Sequence, residues 1–292
     1  MTTKTPWLVL GTLVGVLALS PTSSSAENTS GVNVPSAPSF KKSNAAAYGK
    51  QIAEYVDAYN TGWKDSYSKS TITNISASGE KMASKTTQLS LEKSNGNMGL
   101  IRYQSPASVA GVAMLTHENH KATDESWLYL PSNRRVRRIS GANRTSSFQG
   151  TEFTYEDLSS LVPSRYKWKF AKESKGKDGA ILQIEGVPTD KNSGYSKLRY
   201  HINTKMWRAT KIEYYDKGGR LLKTLAVSKW KLYHGRFWRA HKFEMHNKQT
   251  QKRSTFEAST QFLSIDKYKK KDGSPREGLK ESAFTKRALE TR

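Results

Sequence analysis

The chain has 292 residues, no cysteine and a formal net charge of +23 at pH 7. Without cysteine there can be no disulfide, no thiolate metal site and no cysteine nucleophile, and a chain of this length can bury a core without cross-links. Strong positive charge informs about partners rather than fold. It favours lipid headgroups, lipopolysaccharide, wall polymers or acidic protein surfaces, with adaptation to an unusual medium as the alternative.

Residues 1–26 have the pattern of a cleaved secretory signal peptide. Lys4 supplies the positive charge, residues 7–19 form an apolar run, and Ser24 and Ala26 are the small residues of a cleavage site. The apolar run is shorter than the roughly 20 residues that a membrane-spanning helix needs. We therefore expect residues 1–26 to be removed and the protein to be exported as a soluble chain, away from nucleic acid.

Two segments precede the first predicted strand. Residues 27–43 are rich in Ser, Asn, Pro and Lys, which predicts a flexible leader. Residues 45–60 are predicted to form an amphipathic helix with Asn44 as its N-cap. Its apolar residues recur at three- and four-residue spacings, as one face of a helix requires; they are Ala46, Ile52, Tyr55, Val56 and Tyr59.

The remainder of the chain is predicted to form short β-strands separated by turn dipeptides such as Asn95-Gly96 and Asp178-Gly179. About eleven strands are predicted, with further segments at 237–248, 254–265 and 281–284. The eleven lie at 67–78, 81–93, 97–104, 111–117, 126–131, 135–140, 166–174, 180–187, 196–203, 207–216 and 220–232.

Strands that follow one another through short turns form an antiparallel meander rather than a parallel sheet. One large sheet must cover its apolar face, and the helix at 45–60 and the aromatic stretch 141–164 are the available covers. The hydrophobic content of 35% is modest, which favours a curled sheet around a cavity over a densely packed sandwich. We expect one mainly β domain over residues 44–289.

No catalytic or metal site is predicted. His117 and His120 are three residues apart at the end of a predicted strand, whereas the zinc-protease motif needs two histidines four apart on a helix. Phosphate-binding glycine loops and nucleophile elbows are missing from the sequence. We therefore expect neither enzyme activity nor a cofactor.

Four arginines lie close together at 134–138. Arg135 and Arg137 fall on one face of a predicted strand, and Arg134 and Arg138 fall on the other. Arginine suits bidentate binding of carboxylates and phosphates. Pairing within the molecule to Glu152, Glu156 or Asp157 is the preferred interpretation, and docking to a phosphate or an acidic partner is the alternative.

The aromatic residues lie mainly in strands, where a sheet core explains them. Phe148, Phe153 and Tyr155 instead lie in a Gly/Ser-rich connection. Apolar side chains on such a connection fit a lid over an apolar pocket, and they fit equally well a small cluster beneath a loop.

Two stretches, WLYLPSNRRVRRI (127–139) and SFQGTEFTYEDL (147–158), resemble the signature of the outer-membrane lipoprotein-sorting (LolA-like) family. Shorter matches cover most of residues 45–289 in consistent order. They are IRYQSP (101–106), SGY (193–195), KIEYYD (211–216), LLKTL (221–225) and FTKRAL (284–289).

The resemblance implies a strongly curved antiparallel sheet of about eleven strands, an unclosed half-barrel with helices and a lid loop across its mouth. It also implies a periplasmic carrier that shuttles lipid or lipoprotein acyl chains between envelope membranes. This branch of the family is often associated with resistance-nodulation-division transporters, so an inner-membrane transporter is the expected protein partner.

For a carrier, we expect the cargo to contact Trp127, Tyr129, Phe148, Phe153, Tyr155 and Leu158. We expect lid or partner contacts from Arg134, Arg135, Arg137, Arg138, Glu152, Glu156 and Asp157. Such a carrier would be a monomer with transient contact to a membrane surface. The alternative function is a basic adaptor without cargo, docked on a transporter or on an anionic envelope polymer.

Two features depart from the family pattern. Residues 117–125 are longer and more charged than the tight turn expected before the strand at 126–131, and the high net charge is not a family trait. Neither feature affects the predicted fold, but both leave the cargo open.

Overall fold

The computed structural model describes Ala37 and residues 44–290. The predicted signal peptide (1–26) lies outside the described residues, as does the predicted leader (27–43) apart from Ala37. The described residues all fall within one compact unit, Val32–Arg292. In this part of the chain no helix is both long enough and apolar enough to cross a bilayer.

The described residues form one antiparallel sheet of thirteen strands. The strands are β1 (Asp65–Ile75), β2 (Lys81–Leu91), β3 (Met98–Ser105), β4 (Ala113–His117), β5 (Glu125–Leu130), β6 (Arg135–Arg138), β7 (Tyr166–Gly176), β8 (Gly179–Pro188), β9 (Lys197–Asn203), β10 (Arg208–Tyr215), β11 (Leu221–Tyr233), β12 (Phe237–Asn247) and β13 (Arg253–Leu263).

The strand order is β6-β5-β4-β3-β2-β1-β13-β12-β11-β10-β9-β8-β7. Each half, β1–β6 and β7–β13, is a meander of neighbouring strands. The halves join where β1 pairs with β13, with Ile72 opposite Phe256. Strands β6 and β7 are the two edges, so the sheet is not closed. The predicted unclosed half-barrel is confirmed.

The predicted count of about eleven strands is too low. Residues 237–248 and 254–265, expected only as further segments, are β12 and β13 at the centre of the sheet. The expected segment at 281–284 is wrong as a strand: Glu281–Ala283 is a 3₁₀ turn. This turn places Phe284 in an apolar cluster on the sheet, where its side chain is 1% exposed.

The first helix, α1 (Ala45–Tyr59), agrees with the prediction. The Asn44 side chain caps it by accepting hydrogen bonds from the backbone N–H groups of Ala46 and Ala47, at 3.1 and 3.0 Å. Its apolar face packs on β7 and β8. A second helix, α2 (Lys286–Glu290), is short and lies near the C-terminal end of the chain.

Apolar side chains alternate between the two faces of the sheet. On paired strands β3 and β4, Ile101 and Met114 point to the side covered by α1, here called the inner face. Leu100 and Leu115 point to the opposite, outer face, where residues near α2 cover them. The main core lies on the inner face.

Residues 139–165, here called the bridging segment, link edge strand β6 to edge strand β7. The segment crosses the inner face, because Phe148 and Phe153 belong to the main core and the Glu152 N–H donates to Ser254 Oγ of β13 at 2.9 Å. It contains 3₁₀ turns at Gly141–Thr145, Glu156–Leu158 and Pro163–Arg165. The predicted cover at 141–164 therefore lies within this segment.

Candidate functional site

A cavity of about 420 Å³, here called the main cavity, lies on the inner face of β1–β4, β12 and β13. Its floor is made of small side chains. Ser66, Ser68 and Ser70 alternate along β1 and all line the cavity, and Ser90 of β2 lies opposite Ser66. Large residues and α1 fill the inner face of the other half of the sheet, so the space remains open over the serines.

The walls of the main cavity are apolar. Ile101 and Met114 contribute from β3 and β4, and Phe243 and Phe256 contribute from β12 and β13. The bridging segment closes part of the opening with Phe153 and Leu158. A pocket with apolar walls and a few polar groups is the usual form of a small-molecule site.

The bridging segment is held by its own small hairpin. Ser147 pairs with Thr154, and the Phe148 N–H donates to the Phe153 carbonyl oxygen at 2.8 Å. This pairing buries both phenylalanines. Phe148 packs on Tyr103 and Tyr155 with ring centroids 6.0 and 5.8 Å away, and Phe153 meets Phe256 edge-on at 4.8 Å.

A buried ion pair anchors the same segment to the sheet. Lys223 Nζ of β11 lies 2.5 Å from Asp157 Oδ2, with the two side chains 3% and 1% exposed. The Tyr195 hydroxyl donates to Asp157 Oδ1 at 2.7 Å, and the Thr154 N–H donates to Oδ2 at 2.7 Å. Because its carboxylate accepts from Lys223 and Tyr195 as well as from the Thr154 N–H, Asp157 fixes the position of the segment across the inner face.

The neighbouring carboxylates act in the same way. Glu156 accepts from Ser193 Oγ at 2.5 Å and from the Gly194 N–H at 2.9 Å. Glu152 accepts from Asn247 Nδ2 at 2.7 Å. The preferred interpretation, in which Glu152, Glu156 or Asp157 pairs with the arginines at 134–138, is therefore wrong, because the donors that bind these carboxylates belong to other parts of the chain.

The long charged loop between β4 and β5 anchors the end of the bridging segment. Glu118 accepts from the Ser160 N–H at 2.7 Å. Asp124, 3% exposed at its side chain, binds Arg165 through both oxygens at 2.6 and 2.8 Å. Burial raises the pKa of Asp124, but hydrogen bonds from Arg165 and from the Asn119 N–H outweigh it and leave the pKa below its ordinary value.

A second cavity of about 480 Å³ adjoins the first on the inner face of β7–β11. Asp157, Ser160 and Leu225 line both cavities. Tyrosines line its sheet side, and burial raises the pKa of Tyr166 to about 12. That phenol is therefore neutral and able to donate hydrogen bonds at physiological pH.

The structure separates the predicted cargo residues into two groups. Phe153 and Leu158 line the main cavity, and Phe148 and Tyr155 support them from the bridging segment. Trp127 and Tyr129 point to the outer face instead, where they pack with Phe284, Leu289 and their neighbours. A lipid in the main cavity would not touch either of these two residues.

The four predicted arginine contacts are all exposed on or beside edge strand β6. Arg138 pairs with Glu125 at 2.7 Å, with both side chains well exposed. Arg135 and Arg137 lie opposite Leu130 and Leu128, which contact the main core. These positions make the arginines part of a free edge rather than of the cavity.

Sequence reasoning also missed residues that line the main cavity. The serines of β1 recur at every second residue. This pattern is visible in the sequence, but by itself it does not indicate the floor of a cavity. Arg239 and Trp63 also line it, and they lie about 5.7 Å apart, guanidinium carbon to ring centroid. Arg239 and Trp63 come together because distant parts of the chain pair in the sheet, and the local sequence pattern does not predict that pairing.

The two histidines that resemble a metal motif do not form one. His117 Nε2 lies 2.7 Å from the Phe284 carbonyl oxygen, to which it donates. Within Ala37 and residues 44–290, no three histidine, aspartate or glutamate side chains are grouped as a metal site would need.

Comparison with solved structures identifies the fold. A domain from Vibrio parahaemolyticus, described as an outer membrane lipoprotein-sorting protein domain, is 35% identical with a TM-score of 0.78, over 84% of this chain and 100% of that one. A DUF1329 family protein from Desulfovibrio piger is 22% identical with a TM-score of 0.75, over 84% and 99% of the two chains.

A LolA superfamily protein from Nitrosomonas europaea is 20% identical with a TM-score of 0.62, over 82% of this chain and 98% of that one. A protein-family model with the description "uncharacterized protein" matches residues 95–291. No curated protein sequence matches the chain. The half-barrel, the bridging segment across its inner face and the 35% identity over a whole related domain show that this chain belongs to the outer-membrane lipoprotein-sorting (LolA-like) family.

Proposed function

We propose that this protein is a periplasmic carrier that binds lipid or lipoprotein acyl chains in the main cavity and shuttles them between envelope membranes. The observation that carries the proposal is the cavity itself, which has apolar walls and a cover built from Phe153 and Leu158. The related Vibrio domain is described as lipoprotein-sorting. The signal-peptide pattern at residues 1–26 supports export to the periplasm.

The proposal requires binding and release rather than catalysis. Each methylene buried in the cavity contributes about 0.8 kcal/mol, so a hydrocarbon chain binds without a covalent step. A transporter in the inner membrane is the proposed partner for loading or unloading. The volume of about 420 Å³ lies in the lower half of the range of small-molecule sites, roughly 300–1,000 Å³, which favours one chain at a time.

A matched pair of substitutions on β1 tests the proposal. Ser68→Phe places a ring in the main cavity, whereas Thr71→Phe places the same ring on the other face of the strand. We expect Ser68→Phe to weaken binding of a fluorescent fatty acid at least tenfold and Thr71→Phe to leave it unchanged. Thermal unfolding of both variants checks that each one folds.

Native mass spectrometry of gently purified protein gives the complementary result. A carrier should retain small apolar molecules in the unmodified protein and lose them in Ser68→Phe. Protein that is empty after purification and takes up no lipid offered to it would contradict the carrier function.

The exposed arginines of β6 favour a second candidate, a basic adaptor that docks on a transporter or an anionic envelope polymer without carrying cargo. Arg134, Arg135 and Arg137 lie at a free sheet edge with their charges toward solvent. Surface attraction of this kind weakens as the Debye length falls below ~10 Å. Two results together would favour the adaptor: the protein takes up no fatty acid, and its binding to lipopolysaccharide disappears when salt is added.

A further inference from the structure

One arginine in the lining of the main cavity lies beside a second, buried arginine, and the carrier function explains neither. Arg239 of β12 lines the cavity beside Trp63. Arg208, at the start of β10, lies close enough that its charge lowers the pKa of Arg239. Arg208 is 8% exposed. Both cations are thus placed where water cannot fully solvate them.

All hydrogen bonds that these arginines make to the described residues go to neutral acceptors. Arg208 Nη2 and Arg239 Nη1 both donate to Asn60 Oδ1, each at 2.6 Å. Arg239 Nη1 also donates to the Trp238 carbonyl oxygen, and Arg208 Nη1 donates to the carbonyl oxygens of Trp207 and Val56. In this part of the chain, Nε and Nη2 of Arg239 have no acceptor, and these two nitrogens form the fork that binds carboxylates and phosphates.

The carboxylates nearest to the pair do not neutralise it by direct contact. Glu92 accepts from the backbone N–H groups of Gly62 and Lys64, both at 2.8 Å. Asp57 lies close enough for its charge to act on Arg208, but neither carboxylate is within ion-pair distance of Arg208 or Arg239 among the described residues. Burial and the neighbouring Arg208 lower the pKa of Arg239 to about 9. A bound anion would offset this repulsion.

The cavity also contains an acceptor without a partner. Gln261 Oε1 is buried and has no hydrogen bond among the described residues, and Gln261 lines the main cavity. Gln261 lies opposite Ser68 of β1, which is one of the floor serines. A cargo with a polar group that donates a hydrogen bond would supply the missing donor.

We propose that the main cavity is specific for a single-chain amphiphile with an acidic headgroup, a carboxylate or a phosphate monoester, bound by Nε and Nη2 of Arg239. The apolar chain would extend along Met114, Phe153 and Phe256, and Trp63 would cover the guanidinium. This inference rests on the proposed carrier function and narrows its cargo to anionic amphiphiles.

Three lipids that share one oleoyl chain test the inference: oleate, lysophosphatidate and the uncharged monooleoylglycerol. Binding is measured by displacement of a fluorescent fatty acid from the full-length protein. We expect the unmodified protein to bind at least one anionic lipid about 10- to 100-fold more tightly than monooleoylglycerol, the range for a hydrogen-bonded charged group. Comparison of oleate with lysophosphatidate shows which headgroup is preferred.

The matched variants are Arg239→Gln and Lys172→Gln, since Lys172 is an exposed cation on edge strand β7, away from β12. Arg239→Gln should bring the affinity for oleate and lysophosphatidate down to that for monooleoylglycerol in the same variant. Lys172→Gln should leave the affinities for all three lipids unchanged. If both variants reduce anion binding equally, the effect is general surface attraction and the inference is overturned.

Measurement on the unmodified protein at 0.5 M NaCl keeps the test decisive if Arg239→Gln does not fold. The Debye length is then only a few ångströms, so a preference based on surface charge would disappear, whereas one based on Arg239 in the cavity would persist. Equal affinity for charged and uncharged lipids overturns the inference but leaves the carrier function intact. Failure to bind any of the three lipids contradicts the carrier function itself.

Discussion

The side chain of Lys223 carries a charge into the interior, where it is only 3% exposed. It is stabilised by Asp157, by the carbonyl oxygen of Glu152 at 3.0 Å, and by the rings of Tyr195 and Tyr214, each about 5.4 Å away. The sequence predicts an ion pair for Asp157, but with the arginines at 134–138 as its preferred partners. The correct partner lies 66 residues away in sequence, and no local pattern connects the two.

The buried pair gives a prediction at this scale. Replacement of Asp157 by Asn leaves Lys223 buried without its counter-ion, so the free energy of unfolding should fall by about 3–5 kcal/mol. Lys223→Met should also destabilise, and the double variant should lose less than the sum of the two. Urea titrations of all four proteins measure this coupling.

The exposed pair Lys229–Glu257 is the control, with side chains 56% and 41% exposed. Glu257→Gln should change the stability by no more than about 1 kcal/mol. Additive effects of Asp157→Asn and Lys223→Met would contradict a direct coupling between the two charges.

Asp124 predicts a pH dependence. Its folded-state pKa lies below its ordinary value of 3.8, so ionised Asp124 contributes stability above that value, and the contribution is lost as the pH falls through the folded-state pKa. Asp124→Asn should lower the free energy of unfolding at pH 7 by about 2 kcal/mol. The difference from the unmodified protein should shrink below about pH 4. Urea titrations at pH 7, 5 and 3 measure it, and a constant difference would exclude the ion pair as its cause.

Among the elements, helix α1 and most strands were predictable, because their signals are local. Asn44 caps the helix as expected, and turns such as Asn95-Gly96 and Asp178-Gly179 separate strands of alternating apolar residues. The central position of β12 and β13 was not predictable in this way. It depends on which strand pairs with β1, and Phe256 is far from Ile72 in sequence.

The site was predictable only in part for the same reason. Phe153 and Leu158 were identified from their unusual position in a polar connection, and they line the cavity. Trp127 was assigned to the same group, yet its side chain points to the outer face, because Trp127 and Leu128 alternate along β5. Sequence alone gives this alternation but not which face of the sheet holds the cavity.

Gly49 permits the close packing of α1 on β7. A Cβ at this position would lie 2.6 Å from both the Lys169 carbonyl carbon and the Phe170 nitrogen. Alanine is the better helix former by about 1 kcal/mol, yet Gly49→Ala should lower the free energy of unfolding by about 1–3 kcal/mol, because backbone atoms cannot move aside cheaply. Lys50→Ala on the exposed side should have almost no effect. Thermal and urea unfolding measure both, and stabilisation by Gly49→Ala would contradict the packing.

At the scale of the whole molecule, the net charge of +23 predicts how stability depends on salt. Like charges repel one another more in the compact state than in the unfolded chain, and salt screens this repulsion. The urea midpoint should therefore rise as NaCl is added from low to physiological concentration. Replacing exposed Lys172 and Lys175 of β7 by Glu lowers the net charge by four and should flatten the rise. A midpoint that falls with salt would show that ion pairs outweigh the repulsion.

The pairing of β1 with β13 also determines when the protein can fold. These two strands are the first and the last of the thirteen, and they meet at the centre of the sheet. As a chain leaves a ribosome or a translocation channel from its N-terminal end, β1–β6 emerge long before β13, and β1 meanwhile exposes unpaired N–H and C=O groups as an edge strand. Such non-local pairing is slow. The nascent chain therefore passes through a period in which the serines of β1 face solvent, and the cavity comes into existence only when the last strand arrives.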